Sequence, residues 1–239
     1  MNLNGSTVLV TGANRGLGAR LVTELLRAGA AKVYAAARTP GAVAPEVLAD
    51  ARVHALTLDI TDQAGVDAAA KAAPDVTLLI NNAGTLTFGG VLDADLSGIE
   101  NDLRTNYLGT LRTIRAFVPV LQDNGGGAIA TVLTLIALAP AGGMAGYSAS
   151  KAAAHSMTQS LRAELRGTGI EVIGAYPGGI DTDMLAGVDA EKAAPEEVAA
   201  RIVAGIAAGQ QVIWPDDAAA GAGSVYLSDP LALETLLAG

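Results

Sequence analysis

The chain of 239 residues contains no cysteine and only two histidines, His54 and His155. The first absence excludes a disulfide scaffold, a thiolate nucleophile and any zinc site built on sulfur. The second leaves little for a metal site built on imidazole, and no metal is expected. Charge is sparse as well: 16% of residues are charged against 51% hydrophobic, and disorder needs the opposite balance. The 29 glycines follow no three-residue period, which excludes a collagen-like repeat. Positive charge is in deficit, with 15 Lys and Arg against 24 Asp and Glu. The resulting net charge of −9 disfavours contact with phosphate backbones, so nucleic acid is not an expected partner.

A long unbroken apolar run is also lacking. No residue from Asn124 to Ser150 is charged, but the dense part, Ala128 to Ala139, is too short to span a bilayer, and Pro140, Gly142 and Gly143 break it. It reads as a buried element of a core, not as a membrane segment. The opening residues lack a basic region ahead of an apolar stretch, so no signal peptide is expected and a cytoplasmic location is. No stretch reads as a linker rich in Pro, Ser or charge. The expectation is one domain over 1–239, with 183–239 forming the substrate loop and C-terminal elements.

What the sequence does contain is a regular alternation. Short, solidly apolar runs suit strands at Thr7–Thr11, Lys32–Ala37, Val53–Leu58, Val76–Asn81, Ala128–Thr134 and Ile170–Tyr176. Helical patterns lie near Leu17–Ala28, Asp62–Ala72, Leu96–Asp123 and Tyr147–Arg166. Strands without polar alternation are covered on both faces. The repeated strand–helix order then implies an α/β protein with a Rossmann-type, doubly wound parallel sheet in a three-layer α/β/α arrangement. The last quarter suits a helix near Pro195–Ala208, a short strand near Gln211–Trp214 and a terminal helix near Pro230–Leu237.

The first strand runs into Thr11-Gly12-Ala13-Asn14-Arg15-Gly16-Leu17-Gly18, and a helix follows at once. Glycines allow the tight turn and the approach of backbone N–H groups to a pyrophosphate, and the helix N-terminus adds partial positive charge. This is the physics of a dinucleotide site. The second strand ends Ala37-Arg38-Thr39 without a carboxylate to bind a ribose 2′-hydroxyl. Arg38, joined by Arg15 from the glycine turn, suits a 2′-phosphate, which makes NADP(H) the expected cofactor.

Further landmarks follow in order: Leu58-Asp59-Ile60, Asn81-Asn82-Ala83-Gly84, Asn106-Tyr107-Leu108-Gly109, Tyr147-Ser148-Ala149-Ser150-Lys151, and Pro177-Gly178 followed by Thr182. With the glycine turn, this series resembles the short-chain dehydrogenase/reductase family in its compact single-domain branch, over about Thr7 to Thr182. The resemblance implies hydride transfer between a nicotinamide cofactor and a carbonyl/alcohol pair. It assigns Asp59 and Ile60 to the adenine, and the segment Asn81 to Gly84, with Asn82, Ala83 and Gly84 in contact, to the cofactor groove. Pro177, Gly178, Ile180 and Thr182 go to the nicotinamide end. Asn106 would hold a water of a proton relay, Tyr147 would be the acid/base, and Lys151 would lower the pKa of Tyr147 and hold the ribose. The family's usual Ser, thirteen residues before the Tyr, is Thr134 here. It keeps the hydroxyl, so it is expected to orient the carbonyl. Pairing into a dimer or tetramer through Leu96–Asp123 and Tyr147–Arg166 is a further implication.

The chemistry is legible from the residues themselves. Reduction of a ketone leaves charge on oxygen, which needs a proton donor and charge stabilisation. Tyr147 and Lys151 are four apart, one helical turn, so both face the same way. The expected substrate wall includes Ile136, Met144 and Met184, with Leu86, Phe88 and Leu185. It holds no Arg or Lys, which favours an uncharged, hydrophobic ketone, aldehyde or secondary alcohol. Asp181, Asp183, Asp189 and Glu191 read as a solvated loop, and His155 as structural. Two other readings stand beside this one: related nicotinamide chemistry such as epimerisation or dehydration, and a catalytically silent NADP-binding regulatory or scaffold protein.

Overall fold

The computed structural model describes residues 1–238. Seven strands form one parallel sheet: β1 (Thr7–Thr11), β2 (Lys32–Ala37), β3 (Val53–Thr57), β4 (Leu78–Asn81), β5 (Gly127–Val132), β6 (Ile170–Ala175) and β7 (Val212–Ile213), in the order β3-β2-β1-β4-β5-β6-β7. Every pairing is parallel. The order reverses between β1 and β4, the position at which a doubly wound sheet opens its ligand crevice.

The crossovers are helical. They are α1 (Gly16–Arg27), the short α2 (Pro45–Leu48), α3 (Gln63–Ala72), α4 (Leu96–Asp102), α5 (Thr110–Asp123), α6 (Ala145–Glu164) and α7 (Pro195–Ala207). Two buried clusters sandwich the sheet. Leu21, Leu25, Val198 and Ile202 of α1 and α7 cover one face against Val8, Val10, Val33 and Ile80. Val66, Ile114, Phe117 and Leu121 of α3 and α5 cover the other against Leu9, Leu79, Ile129 and Val172. Alternate residues of β1 thus serve opposite layers, which explains its unbroken apolar run.

Among the differences from the sequence reading, three bear on the site or the C-terminal region. β5 ends at Val132, paired with Ala175 of β6, so Thr134 lies just past the strand. The single helix expected over Leu96–Asp123 is interrupted by a turn of π geometry at Leu103–Gly109. At its end Gly109 abuts Ile60, where a Cβ would come within 2.8 Å of that side chain. The last quarter contains an additional helix, α8 (Asp217–Ser228), before α9 (Pro230–Ala238). Its glycines mask it in the sequence, yet Gly223 lets the helix lie against the Trp214 ring, and Asp216 caps it by accepting from Ala219 N. No described helix is long and apolar enough to cross a membrane.

Candidate active site

The carboxyl ends of β1, β2, β4, β5 and β6 open into a cavity of about 730 Å³. Its floor is the turn after β1. Gly12 adopts φ +65°, a left-handed conformation that other residues resist, and Gly18 presses so closely on the Gly12 carbonyl that a Cβ has no room. Asn82 secures the turn from β4, its Nδ2 donating to Thr11 O and Gly12 O at 3.0 and 3.2 Å. The Arg15 N-cap of α1 offers no side-chain cap bond, which leaves the first-turn N–H groups facing the cavity free for an anion.

At the far end of the groove, Arg38, Asp59 and Ile60 line the wall. Asp59 is half used, because its Oδ1 accepts from Thr61 N and Oγ1, both at 2.8 Å. Burial pushes its carboxyl up, but the Thr61 bonds and the fields of Arg38 and Arg104 leave it below its ordinary value. Arg38 enters no ion pair among the described residues. Arg15 lines the groove as well. Its Nη1 lies 2.7 Å from Asp183 Oδ2, so it bridges the glycine turn to the loop after β6.

At the reactive end, Tyr147 and Lys151 of α6 line the same wall, with Lys151 Nζ 5.7 Å from the Tyr147 ring centroid. Lys151 is buried and donates to Val132 O at 2.8 Å, which anchors α6 to the end of β5. Burial lowers the Lys151 ammonium to about 8, against the opposing field of Asp102. Burial, reinforced by Asp102, raises the Tyr147 phenol above its ordinary value. Thr134 is buried at the cavity wall, and its hydroxyl makes no hydrogen bond among the described residues. It is free to accept or donate to a ligand.

Asn106 does not line the cavity. It sits behind Gly84, where a Cβ would meet its Oδ1 at 3.0 Å. Its Oδ1 accepts from Thr85 N, and its Nδ2 donates to Thr85 O and Ser150 Oγ, each at 2.9 Å. Ser150 in turn donates to Tyr147 O at 2.7 Å. The side chain therefore braces α6 against the loop after β4, with little capacity left for a water. Asn81 also stays out of the cavity, buried at the end of β4.

Gly16, Leu17, Asn14, Ala83, Pro177, Gly178, Ile180 and Thr182 line the groove, as do Ile136, Met144 and Met184. Phe88 does not; it is half exposed outside it. The sequence reading missed Arg104, Lys192, Ala218 and Leu237, which also line the cavity. Lys192 brings a cation to a wall expected to hold none, but its Nζ is taken up by Leu185 O and Val188 O at 3.2 and 2.9 Å. Leu237 arrives from α9, packed with Leu135 and Leu233 in a cluster of its own.

A parallel sheet with its crevice at the reversal of strand order, a glycine turn at a helix N-terminus and a tyrosine–lysine pair on the crevice wall together define a dinucleotide-binding protein of the Rossmann type. The chain belongs to the short chain dehydrogenase family, whose model matches residues 6–193. It is 35% identical over 218 residues to a 1-deoxy-11-beta-hydroxypentalenate dehydrogenase of Streptomyces exfoliatus, covering 86% of this chain and 79% of the relative. A short chain dehydrogenase from Burkholderia cenocepacia, crystallised with NADP, superposes with a TM-score of 0.93 at 40% identity, over 99% of both chains. A 3-ketoacyl-(acyl-carrier-protein) reductase of Brucella melitensis, complexed with NADH, gives 0.79 at 26% identity, covering 86% of this chain and 91% of that one.

Proposed function

We propose that this short chain dehydrogenase is an NADP(H)-dependent oxidoreductase acting on an uncharged, hydrophobic ketone or aldehyde, or on the matching secondary alcohol. The observation that carries the reading is the convergence of Tyr147, Lys151 and an unpartnered Thr134 hydroxyl on one cavity wall beyond the glycine turn. The residues present fit the cofactor: uncapped N–H groups at α1 suit a pyrophosphate, and Arg38, without an ion pair, suits a 2′-phosphate. The Burkholderia relative that superposes over nearly its full length binds NADP, which supports the choice.

When bound, the dinucleotide would supply the hydride for the carbonyl carbon. Tyr147 donates its phenolic proton to the carbonyl oxygen, and Thr134 donates a hydrogen bond to the same oxygen as charge develops. Lys151 places positive charge beside the phenol and so stabilises the phenolate left behind. Asn106, through Ser150 and the Tyr147 carbonyl, keeps the first turns of α6 in register with the groove. The apolar wall of Ile136, Met144, Met184 and Leu237 excludes water from the reacting atoms.

The test is loss of NADPH absorbance over a panel of hydrophobic ketones and aldehydes. Wild type should consume NADPH with at least one of them. Tyr147→Phe should retain NADPH binding and lose most turnover, and a Phe variant with near-full activity would remove Tyr147 from the acid/base role.

A further inference from the structure

Asp102, at the end of α4, is the one fully buried carboxylate among the described residues that bears on the catalytic pair. Its oxygens are met by donors from the loop after β4: Thr85 Oγ1 at 2.9 Å, Thr87 N at 3.0 Å and Thr87 Oγ1 at 3.3 Å. An ionised carboxylate is acceptor-only, and these donors satisfy it. No cation touches it within ion-pair distance among the described residues. Its helix face is the one turned to α6. Ile99, three residues earlier, abuts Gly146, where a Cβ would lie 3.0 Å from the Ile99 Cα. That close approach sets α4 beside the turn of α6 carrying Tyr147.

The same loop reaches Lys151: a Cβ at Gly84, next to Thr85, would lie 3.8 Å from its Nζ, and this buried ammonium has one backbone carbonyl as acceptor among the described residues. A buried charge needs a counter-charge. The field of Asp102 reaches both groups: it opposes the effect of burial on Lys151 and adds to it on Tyr147.

We propose that Asp102 is the counter-charge of the catalytic pair, a positioning residue that keeps Lys151 an ammonium and ties the groove loop to α4. The role rests on the assignment of Tyr147 and Lys151 above. The physical consequence is directional. Removing a negative charge makes an ammonium and a phenol both stronger acids. Reduction needs Lys151 charged and Tyr147 protonated, so losing Asp102 moves the alkaline limb of kcat/KM to lower pH whichever group sets it.

The experiment is the pH profile of NADPH-dependent reduction for wild type, Asp102→Asn and Thr87→Val. The Asn variant should shift its alkaline limb down by on the order of one pH unit, whereas Thr87→Val, which removes a donor but leaves the charge, should keep the wild-type limb. A folded Asn variant with an unmoved limb overturns the proposal, as does an equal shift in Thr87→Val, which would trace the effect to loop packing. Should Asp102→Asn fail to fold, Asp102→Thr carries the same expectation of a lowered alkaline limb, and an unmoved limb in a folded Thr variant overturns the proposal. If wild type reduces nothing on the panel, the functional assignment fails instead, which separates the two outcomes.

Discussion

Arg38 and Arg15 look alike in the sequence but differ in the fold. Arg15 is committed to Asp183, 168 positions away, a partnership that local spacing could not reveal. Arg38 makes no ion pair among the described residues and stands beside a half-used Asp59. On the proposed reading Arg38 holds the 2′-phosphate, and Arg38→Asp should raise the Kd for NADPH far more than that for NADH. Equal weakening of both, measured by titration of each dinucleotide, would remove Arg38 from that role. The same reasoning sharpens the expectation at Thr134. Its hydroxyl has no hydrogen-bond partner among the described residues, so its removal disturbs little besides the ligand. Thr134→Ala should lower kcat by about 10²–10³-fold, as loss of one oxyanion donor does, with the melting temperature nearly unchanged. Thr134→Ser should stay active, and an inactive Ser variant would transfer the role from the hydroxyl to the methyl. Tyr147 and Lys151 were legible because four residues of helix bring them together. Asp102 was not, since its meaning depends on Thr85 and Thr87, which belong to a different segment.

At the scale of elements, the strands and long crossover helices follow from unbroken apolar runs and helical spacing, and β1, β2, α1, α6 and α7 lie within two residues of where the sequence puts them. The failures share a cause, namely structure set by a distant surface. The π turn at Leu103–Gly109 exists where Asn106 is held by Thr85 and Ser150, and π turns of this kind concentrate at functional sites. Helix α8 exists because Trp214 and Asp216 support a sequence that reads as a glycine loop. Asp216 is buried and serves two elements, accepting from Ala219 N at 2.7 Å and from Gly178 N at 2.9 Å. It therefore joins the C-terminal helices to the loop proposed for the nicotinamide end. Asp216→Ala removes a helix cap worth about 1 kcal/mol and leaves the Gly178 N–H unpaired. The expected outcome is a melting temperature lower by roughly 2–4 °C together with a raised KM for NADPH. A drop in melting temperature with unchanged KM would confine Asp216 to capping α8.

The whole molecule carries net charge −9, and several of its carboxylates are held below their ordinary values in the fold. Asp50 is the clearest, held down to about 2 by the side-chain and backbone bonds from Arg52. Asp95 is lowered by the Ser97 hydroxyl and N–H. In Asp75, burial is outweighed by Lys32 and Tyr34. A carboxyl with a lower pKa folded than unfolded binds fewer protons in the native state. Between the two values the unfolded chain takes up the excess, and stability falls with pH. The contribution is fully present above the ordinary carboxylate value near 4 and lost as pH approaches 2. His155 acts in the same sense at higher pH. Burial lowers its pKa, so the unfolded chain gains a proton below about 6.5 that the folded chain resists. Thermal melts from pH 7 to pH 2 should therefore show a shallow decline first and a steep one below pH 4. Asp50→Asn isolates one contributor: its melting temperature should lie below that of wild type at pH 5, and the gap should close towards pH 2, where the carboxyl is half protonated in the fold and nearly fully protonated in the unfolded chain. A gap that stays constant across that range would mean that the charge of Asp50 does not stabilise the fold and that only its shape matters beside Arg52.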